Sequence, residues 1–362
     1  MKKILILANN DVGLYKFRKE LIRELSDQGN SIYVSIPNGE FVQPLVDMGC
    51  TFIDTEIDRR GKNPFTDIKL IITYSKMINK IKPEMVIKYT IKPNIYGGLI
   101  CRLSKTPYVS NITGLGTSFQ KDGILKTFVV LLYRLSLKES RMIFFENEES
   151  QQIFIDNKIV TREKTCRLHG AGVNLLEFQF CHYPPNNDEI HFLFIGRIMK
   201  EKGIDELLAA AKKIKKKYSN VVFDIVGGFE EDYKDTLLKL QERGIINYHG
   251  FQIDVKPFIE KTNCFILPSY HEGMANTLLE CGAMGRPLIT SDIYGCKEAV
   301  IDEVNGYLVN VSDFDDLYAK IERFINIPYI EKVKMGMASR NLIAENFDKK
   351  DIVNRTIERL FN

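Results

Sequence analysis

The sequence predicts an α/β protein made of two doubly wound parallel sheets. Short β-branched apolar runs alternate with helix-length amphipathic segments along the whole chain. The alternation runs through two series, separated by a stretch where periodicity breaks. At ~150 residues per domain, 362 residues correspond to roughly two domains. Alternating strands and helices imply parallel sheets covered on both faces.

In the first series the strand candidates are Lys3–Ala8, Ile32–Ile36, Thr51–Ile57, Met85–Thr90, Tyr108–Ile112 and Met142–Phe145, each a compact run rich in Ile, Val, Phe or Tyr. Between them Tyr15–Gln28, Pro64–Ile81 and Pro93–Ser104 carry helical periodicity, two of them opening on a proline that suits a first helical turn. The second series has strands His191–Ile195, Val221–Val226, Asn247–Gly250, Cys264–Pro268 and Pro287–Thr290. Its helices fall near Ile204–Lys217, Glu230–Arg243, Asp254–Lys261 and Ala275–Met284, and Tyr329–Asn346 and Lys349–Phe361 follow. The Pro pair and Asn pair in CHYPPNNDE mark the boundary. The expected domains are 1–183 and 184–346, with a helix over about 347–362 packing back on the first.

Hydrophobic residues make up 44% and charged residues 27%, values that exclude disorder and coiled coil. The net charge of +3 hides an asymmetry: residues 1–170 hold 26 basic and 18 acidic side chains, the rest 24 and 29. The window 88–141 alone holds nine basic side chains against Asp122 and Glu139. Such a window is either solvated helix surface or a face for an anionic partner such as a membrane. Within it, ILKTFVVLLYRLSL (Ile124–Leu137) is apolar enough to bury or to lie at a membrane interface, and Lys121, Lys126, Arg134 and Lys138 are the candidate membrane-facing cations. No nucleic-acid-binding module accompanies the basic window. The seven cysteines form no CxxC pair, which suits a reduced, intracellular chain, and the five histidines show no zinc spacing. The N-terminal run MKKILILAN reads as a buried strand, being too short for a signal sequence. No apolar stretch reaches the ~18 residues a membrane span needs.

In open α/β sheets ligands bind beyond the carboxyl ends of strands, so loops directly after strands attract attention, and with two sheets the cleft they face across is the expected site. The first such loop is Asn9–Gly13, where glycine lets backbone approach a sugar or phosphate; it lacks the GxGxxG dinucleotide pattern. The second, GRIMKEKG (Gly196–Gly203), sets Arg197 and Lys202 near a helix start, an anion site in principle. In the third, SYHEGMANTLLE, Glu272 precedes a helix start at Ala275, Asn276 and Thr277, and Glu280 follows about two turns on. An acid before a helix can simply cap it; a second Glu two turns in has no such explanation.

GRIMKEKG together with the Glu-x7-Glu of EGMANTLLE resembles the retaining glycosyltransferases of family four, which have the GT-B fold. YTIKPNIYG, NITGLGTSF, IFFENEES and HGAGVNLLEF are similar to segments of the bacterial capsule, O-antigen and glycan-assembly branch. The resemblance implies that Arg197 and Lys202 hold the donor diphosphate and that Glu272 meets donor-sugar hydroxyls. It implies that Glu280 takes the ribose hydroxyls, that the backbone at Ala275, Asn276 and Thr277 approaches the phosphates, and that Phe251 and Gln252 hold the base. Gly13 and Gly196 complete the implied donor site, and Lys92, Asn94, Gly114 and Gly116 fall on the acceptor side. Two departures stand out: Met274-Ala275 replaces a commoner Phe-Gly or Phe-Pro pair, and Ile91–Asn94 replaces an acceptor-side histidine.

The expected activity is transfer of a hexose or N-acetylhexosamine from a UDP-sugar to a lipid-linked, polyprenyl-diphosphate glycan. No cofactor or metal is expected, and the chain is expected to be cytoplasmic, peripheral at the inner membrane face. A sugar-nucleotide epimerase on the same plan and a non-enzymatic small-molecule binding protein are the alternatives. Asp313-Phe314-Asp315 resembles a metal-binding DxD string but stands where a helix begins, which suits ordinary helix-start chemistry.

Overall fold

A computed structural model describes residues 1–58, 61, 63–115 and 123–361, together with the backbone but not the side chains of residues 124 and 125. Gly116 and Lys121 lie outside the described residues. The chain divides into two compact units, Met1–Ala171 with Lys349–Asn362, and Gly172–Asp348.

The first unit runs β1 (Lys3–Leu7), α1 (Asp11–Asp27), β2 (Ser31–Ile36), α2 (Val42–Asp47), β3 (Thr51–Asp54), α3 (Pro64–Ile81) and β4 (Met85–Tyr89). A π-helical turn, Pro93–Gly97, leads into α4 (Gly98–Leu103). Then come β5 (Tyr108–Ile112), α5 (Ile124–Leu137), β6 (Ile143–Phe145), α6 (Glu148–Asp156) and β7 (Thr165–Arg167). The sheet is parallel, in the order β3-β2-β1-β4-β5-β6-β7, so the strand order reverses between β1 and β4. Local chemistry starts the helices where they start: Asn10 and Asn63 cap α1 and α3 through their side chains, and Pro64 opens α3.

The second unit runs β8 (Ile190–Ile195), α7 (Ile204–Lys217), β9 (Val221–Val226), α8 (Lys234–Glu242), β10 (Asn247–Tyr248), α9 (Lys256–Lys261) and β11 (Cys264–Leu267). It continues through α10 (Asn276–Ala283), β12 (Leu288–Ser291), β13 (Gly306–Val309), α11 (Phe314–Asn326) and α12 (Tyr329–Asn346). Its sheet, also parallel, has the order β10-β9-β8-β11-β12-β13 and reverses between β8 and β11. In α7, Asp205 and Glu206 occupy the first turn and Lys215, Lys216 and Lys217 the last, matching the helix dipole.

The boundary falls at Ala171/Gly172 rather than at 183/184. The Pro-rich stretch breaks periodicity but packs on the second unit. Tyr183 Oη donates to the Asn263 carbonyl (2.9 Å), and the fully buried Arg286 donates to Cys181 Sγ (2.7 Å) and the His182 carbonyl (3.0 Å). The chain returns to the first unit in α13 (Lys349–Phe361), whose Ile352, Val353 and Leu360 join the core formed by Leu14, Leu21, Ile22 and Leu25 of α1. Asp313 caps α11, accepting from the Asp316 N–H (3.0 Å), and Asp315 faces Lys213 at 3.7 Å. No helix among the described residues is long and apolar enough to cross a membrane.

Candidate active site

In the second unit, the loops after β8 and β11 meet where the strand order reverses, the place at which open α/β sheets bind ligands. Close backbone approach shapes this region. Gly203 (φ +68°) ends the β8 loop with its Cα against the next loop; a Cβ there would sit 2.0 Å from the Pro268 carbonyl oxygen. A Cβ on Gly227, after β9, would come within 1.7 Å of the Gly196 carbonyl oxygen. Gly295 (φ +86°) lies against the backbone of Glu272 and Gly273, and its carbonyl accepts from the Ala275 N–H (2.8 Å). Only glycine fits these approaches.

Across this frame Lys202 Nζ is paired with Glu272 Oε1, and Ser269 Oγ donates to the same oxygen (2.8 Å), fixing the carboxylate's orientation. The Lys202 and Glu272 side chains are only 15% and 11% exposed, so the ion pair is largely withdrawn from water. Arg197 is 48% exposed, with its guanidinium 3.6 Å from Glu230. Next to the pair, α10 starts at Asn276 with no side-chain cap. The Leu278 N–H turns back to the Ala275 carbonyl (3.0 Å), so the N–H groups of Asn276 and Thr277 point along the helix axis out of its start. Met274 and Ala275 are buried, and Asn276 Oδ1 is buried without a hydrogen-bond partner. Glu280, half-buried, lies one further turn along α10. Phe251 is 56% exposed in the loop after β10, and Gln252 Nε2 donates to the His249 carbonyl (2.7 Å). A half-buried carboxylate, two cations, an open helix start and an exposed aromatic ring on one sheet edge make a place for an anionic, hydroxyl-bearing ligand.

The family model described as "Glycosyl transferases group 1" matches residues 177–342, and "Glycosyl transferase 4-like" matches residues 3–147. The chain is a family-four glycosyltransferase. It is 27% identical to the N,N'-diacetylbacillosaminyl-diphospho-undecaprenol alpha-1,3-N-acetylgalactosaminyltransferase of Campylobacter jejuni, with 96% of this chain and 97% of that one covered. It is 24% identical to the UDP-Gal:alpha-D-GlcNAc-diphosphoundecaprenol alpha-1,3-galactosyltransferase of Escherichia coli, covering 78% of this chain and 76% of that protein. Among solved structures, HepE of Anabaena in complex with UDP and glucose superposes with a TM-score of 0.82 at 15% identity, covering 99% of both chains. That likeness identifies the fold as GT-B.

The glycosyltransferase thus carries Arg197, Lys202, Glu272, Ala275, Asn276, Thr277, Glu280, Phe251, Gln252 and Gly196 on one edge of its second sheet. Gly13 belongs to the first unit, in the opening turn of α1, where its N–H donates to Asn10 Oδ1 (2.5 Å). Arg197 is open to water, whereas Glu272 draws Lys202 inward. Ser269 and Gly295 were not foreseen, although Ser269 stands three residues before Glu272 on the same turn.

The first sheet reverses between β1 and β4, and there the chemistry is buried in side chains. Lys88, next to last in β4, is fully buried; burial pulls its ammonium pKa down to about 7. Its Nζ donates to the Asn94 carbonyl (3.2 Å) and lies 4.1 Å from the Tyr108 ring centroid. Thr90 follows at φ +69°, a strained value for a β-branched residue. Asn94 is 1% exposed, and its Nδ2 donates to the Asn111 carbonyl (2.8 Å). Through that bond Asn94 braces β5, and its Oδ1 is buried without a hydrogen-bond partner among the described residues. Lys92 Nζ is engaged by Asp67 (2.7 Å) and the Gly61 carbonyl (2.9 Å). At Gly114 (φ +147°) no atom of the described residues lies within 4 Å of where a Cβ would stand. Lys126 lies in the first turn of α5, Arg134 in its last, and Lys138 caps it.

Proposed function

We propose that the chain transfers a hexose or N-acetylhexosamine, with retention at the anomeric carbon, from a UDP-sugar to a polyprenyl-diphosphate-linked glycan. The observation that carries the reading is the Lys202–Glu272 pair beside the uncapped start of α10 at the second sheet's switch point. The likeness to the undecaprenyl-linked glycan transferases of C. jejuni and E. coli supports the acceptor class.

Breaking the sugar–phosphate bond leaves negative charge on the departing nucleoside diphosphate. Arg197, Lys202 and the N–H groups at Asn276 and Thr277 supply fixed positive potential for that charge with no metal and no cofactor. Glu272, oriented by Ser269 and Lys202, accepts from adjacent donor-sugar hydroxyls, and Glu280 does the same for the ribose diol. Phe251 offers a face for the uracil ring, and the first unit supplies the acceptor side. The enzyme works at the inner face of the cytoplasmic membrane, where such acceptors are anchored.

The test is a panel of UDP- and GDP-sugars with a short-chain polyprenyl-diphosphate sugar, in excess EDTA. Acceptor-dependent release of UDP and an α-linked product support the reading. Loss of turnover in EDTA restored by Mg or Mn, or conversion of the donor without acceptor, contradicts it.

A further inference from the structure

At the carboxyl ends of α5 and α6 the first unit has a pocket of about 660 Å³ that the transfer chemistry does not use. These helix ends precede β6 and β7, so the pocket lies on the amino-terminal edge of the sheet. The loops after β1 and β4 lie on the other edge. Arg134, Lys138, Lys158, Arg162 and Lys164 line it, against the single carboxylate of Glu163. Its floor is apolar, formed by Leu137, Ile159 and Val160, which are buried.

The cations have few anionic partners of their own. Arg134 donates to the Asn157 carbonyl (2.6 Å), Arg162 to Gln152 Oε1 (2.9 Å) and Lys164 to the Lys138 carbonyl (2.8 Å), all neutral acceptors. Arg134 in a last turn is ordinary helix-end chemistry. Lys158, Arg162 and Lys164 come from a separate segment and converge on the same space, which the needs of α5 do not explain. Lys158 does so at φ +51°, a left-handed conformation more usual for glycine or asparagine.

Alongside the pocket runs an exposed apolar strip. Phe128, Leu131 and Leu135 of α5 are 55%, 49% and 41% exposed, at helical spacings of three and four that put them on one face. Leu103, 80% exposed, ends α4, whose Arg102 donates to the Leu135 carbonyl (3.1 Å) and so holds α4 against α5. Large apolar side chains in water beside uncompensated cations match the two layers of an anionic lipid surface: acyl boundary and phosphate.

We infer that this face is a docking surface for an anionic phospholipid bilayer, with the pocket taking a lipid phosphate and the α5 strip entering the headgroup–acyl boundary. The inference rests on the lipid-linked acceptor reading and gives it a specific surface. It replaces the sequence-derived set of Lys121, Lys126, Arg134 and Lys138 with one in which Arg134 and Lys138 act with Lys158, Arg162 and Lys164.

The test is co-sedimentation with vesicles of phosphatidylcholine alone and with phosphatidylglycerol added. The full chain binds only the anionic vesicles and is released as salt shortens the Debye length. The triple variant Lys138→Gln, Lys158→Gln, Arg162→Gln leaves Arg134 and Lys164 to hold their carbonyls. It binds roughly fivefold less per removed cation, about a hundredfold in all. A second variant, Phe128→Gln with Leu131→Gln, weakens binding while keeping its salt dependence. An unchanged thermal midpoint shows each variant to be folded. Equal binding to both vesicle types, or undiminished binding by the folded triple variant, overturns the inference. So does a pocket that takes inorganic phosphate, read as a thermal shift lost in the triple variant, while vesicles go unbound. Transfer by the wild type to a water-soluble acceptor keeps the outcomes separate: activity without vesicle binding overturns this inference alone, and absence of transfer with every donor overturns the functional reading.

Discussion

At the second sheet's switch point, between β8 and β11, the chain presses backbone against backbone. Gly203 meets Pro268, Gly227 meets Gly196, and Gly295 meets Glu272, with no room for a methyl group at any of them. At the first sheet's switch point, between β1 and β4, side chains fill the equivalent space. Lys88, Asn94 of the π-helical turn and Asn111 form a buried polar cluster, and the strained Thr90 stands between Lys88 and that turn in the chain. The same topology thus supports two kinds of site. Backbone packing fixes a rigid frame, which on the proposed reading suits a constant chemical group, the nucleoside diphosphate. A side-chain cluster can be rebuilt residue by residue, which would suit the acceptor side that the proposed reading gives to the first unit.

That contrast fails most visibly if the glycines prove dispensable. Gly227→Ala should cost about 3 kcal/mol or more of stability, seen in the denaturant midpoint, because its Cβ would meet a main-chain oxygen that cannot move independently. Gly244→Ala is the comparison: it also has positive φ, but open space around it, so only backbone strain remains. Similar losses in both variants would remove the argument from packing.

Next come the charged groups on that frame. Arg197→Ala and Lys202→Ala should each lower transfer by roughly 10²–10³-fold. They should differ in stability: the exposed Arg197 is silent in thermal melts, and removal of Lys202 strands the Glu272 carboxylate and lowers the midpoint. Glu272→Gln should impair transfer and spare UDP affinity, and Glu280→Gln should weaken UDP binding in calorimetry. Equal losses of UDP affinity would undo that division.

The first unit's cluster is probed through Lys88. Its amine titrates near 7 when folded and near 10.5 when unfolded, so the unfolded chain binds more protons between those values and wild-type stability rises with pH across that window. Lys88→Met lacks this rise. The variant should be relatively most stable at pH 6.5 and lose that advantage by pH 9.5, read as urea midpoints. A gap independent of pH would mean the amine is not buried as described.

The smallest effect belongs to His191, whose Nδ1 lies 3.1 Å from Asp224, with Glu189 also near; the hydrogen bond to Asp224 raises the imidazole pKa. Its contribution is complete below the unfolded value of about 6.5 and is lost as pH rises through the folded one. The gap between wild type and His191→Gln should shrink above neutrality, by ~1 kcal/mol or less for a pair still reached by water.

The strand–helix alternation made both sheets legible, because parallel strands buried on both faces read as continuous apolar runs. What escaped was short or polar: β7 (TCR), β13 (GYLV) and α2 and α6 carry too few residues for periodicity to register. The loops bearing Arg197, Lys202, Glu272 and Glu280 were visible as motifs. Their pairing was not, because Lys202 and Glu272 stand 70 residues apart and meet only through strand order. The burial of Asn94 was not legible, because it depends on Asn111 of the neighbouring strand. The domain boundary was misjudged for a similar reason: proline breaks periodicity whether or not the segment packs, and Arg286 decides that it does.

The path of the chain through the two units has a consequence for biosynthesis. The first unit's core needs α13, yet all 177 residues of the second unit lie between α6–β7 and that helix. At ~5–20 residues per second a ribosome spends roughly 10–35 s on them. Throughout that interval the nascent first unit lacks Ile352, Val353 and Leu360, which complete the core that α1 shares with the sheet and α2. Folding order is therefore inverted for this unit: the half made first is the half finished last, and a chain released before Leu360 has neither unit's neighbour to blame but its own missing edge.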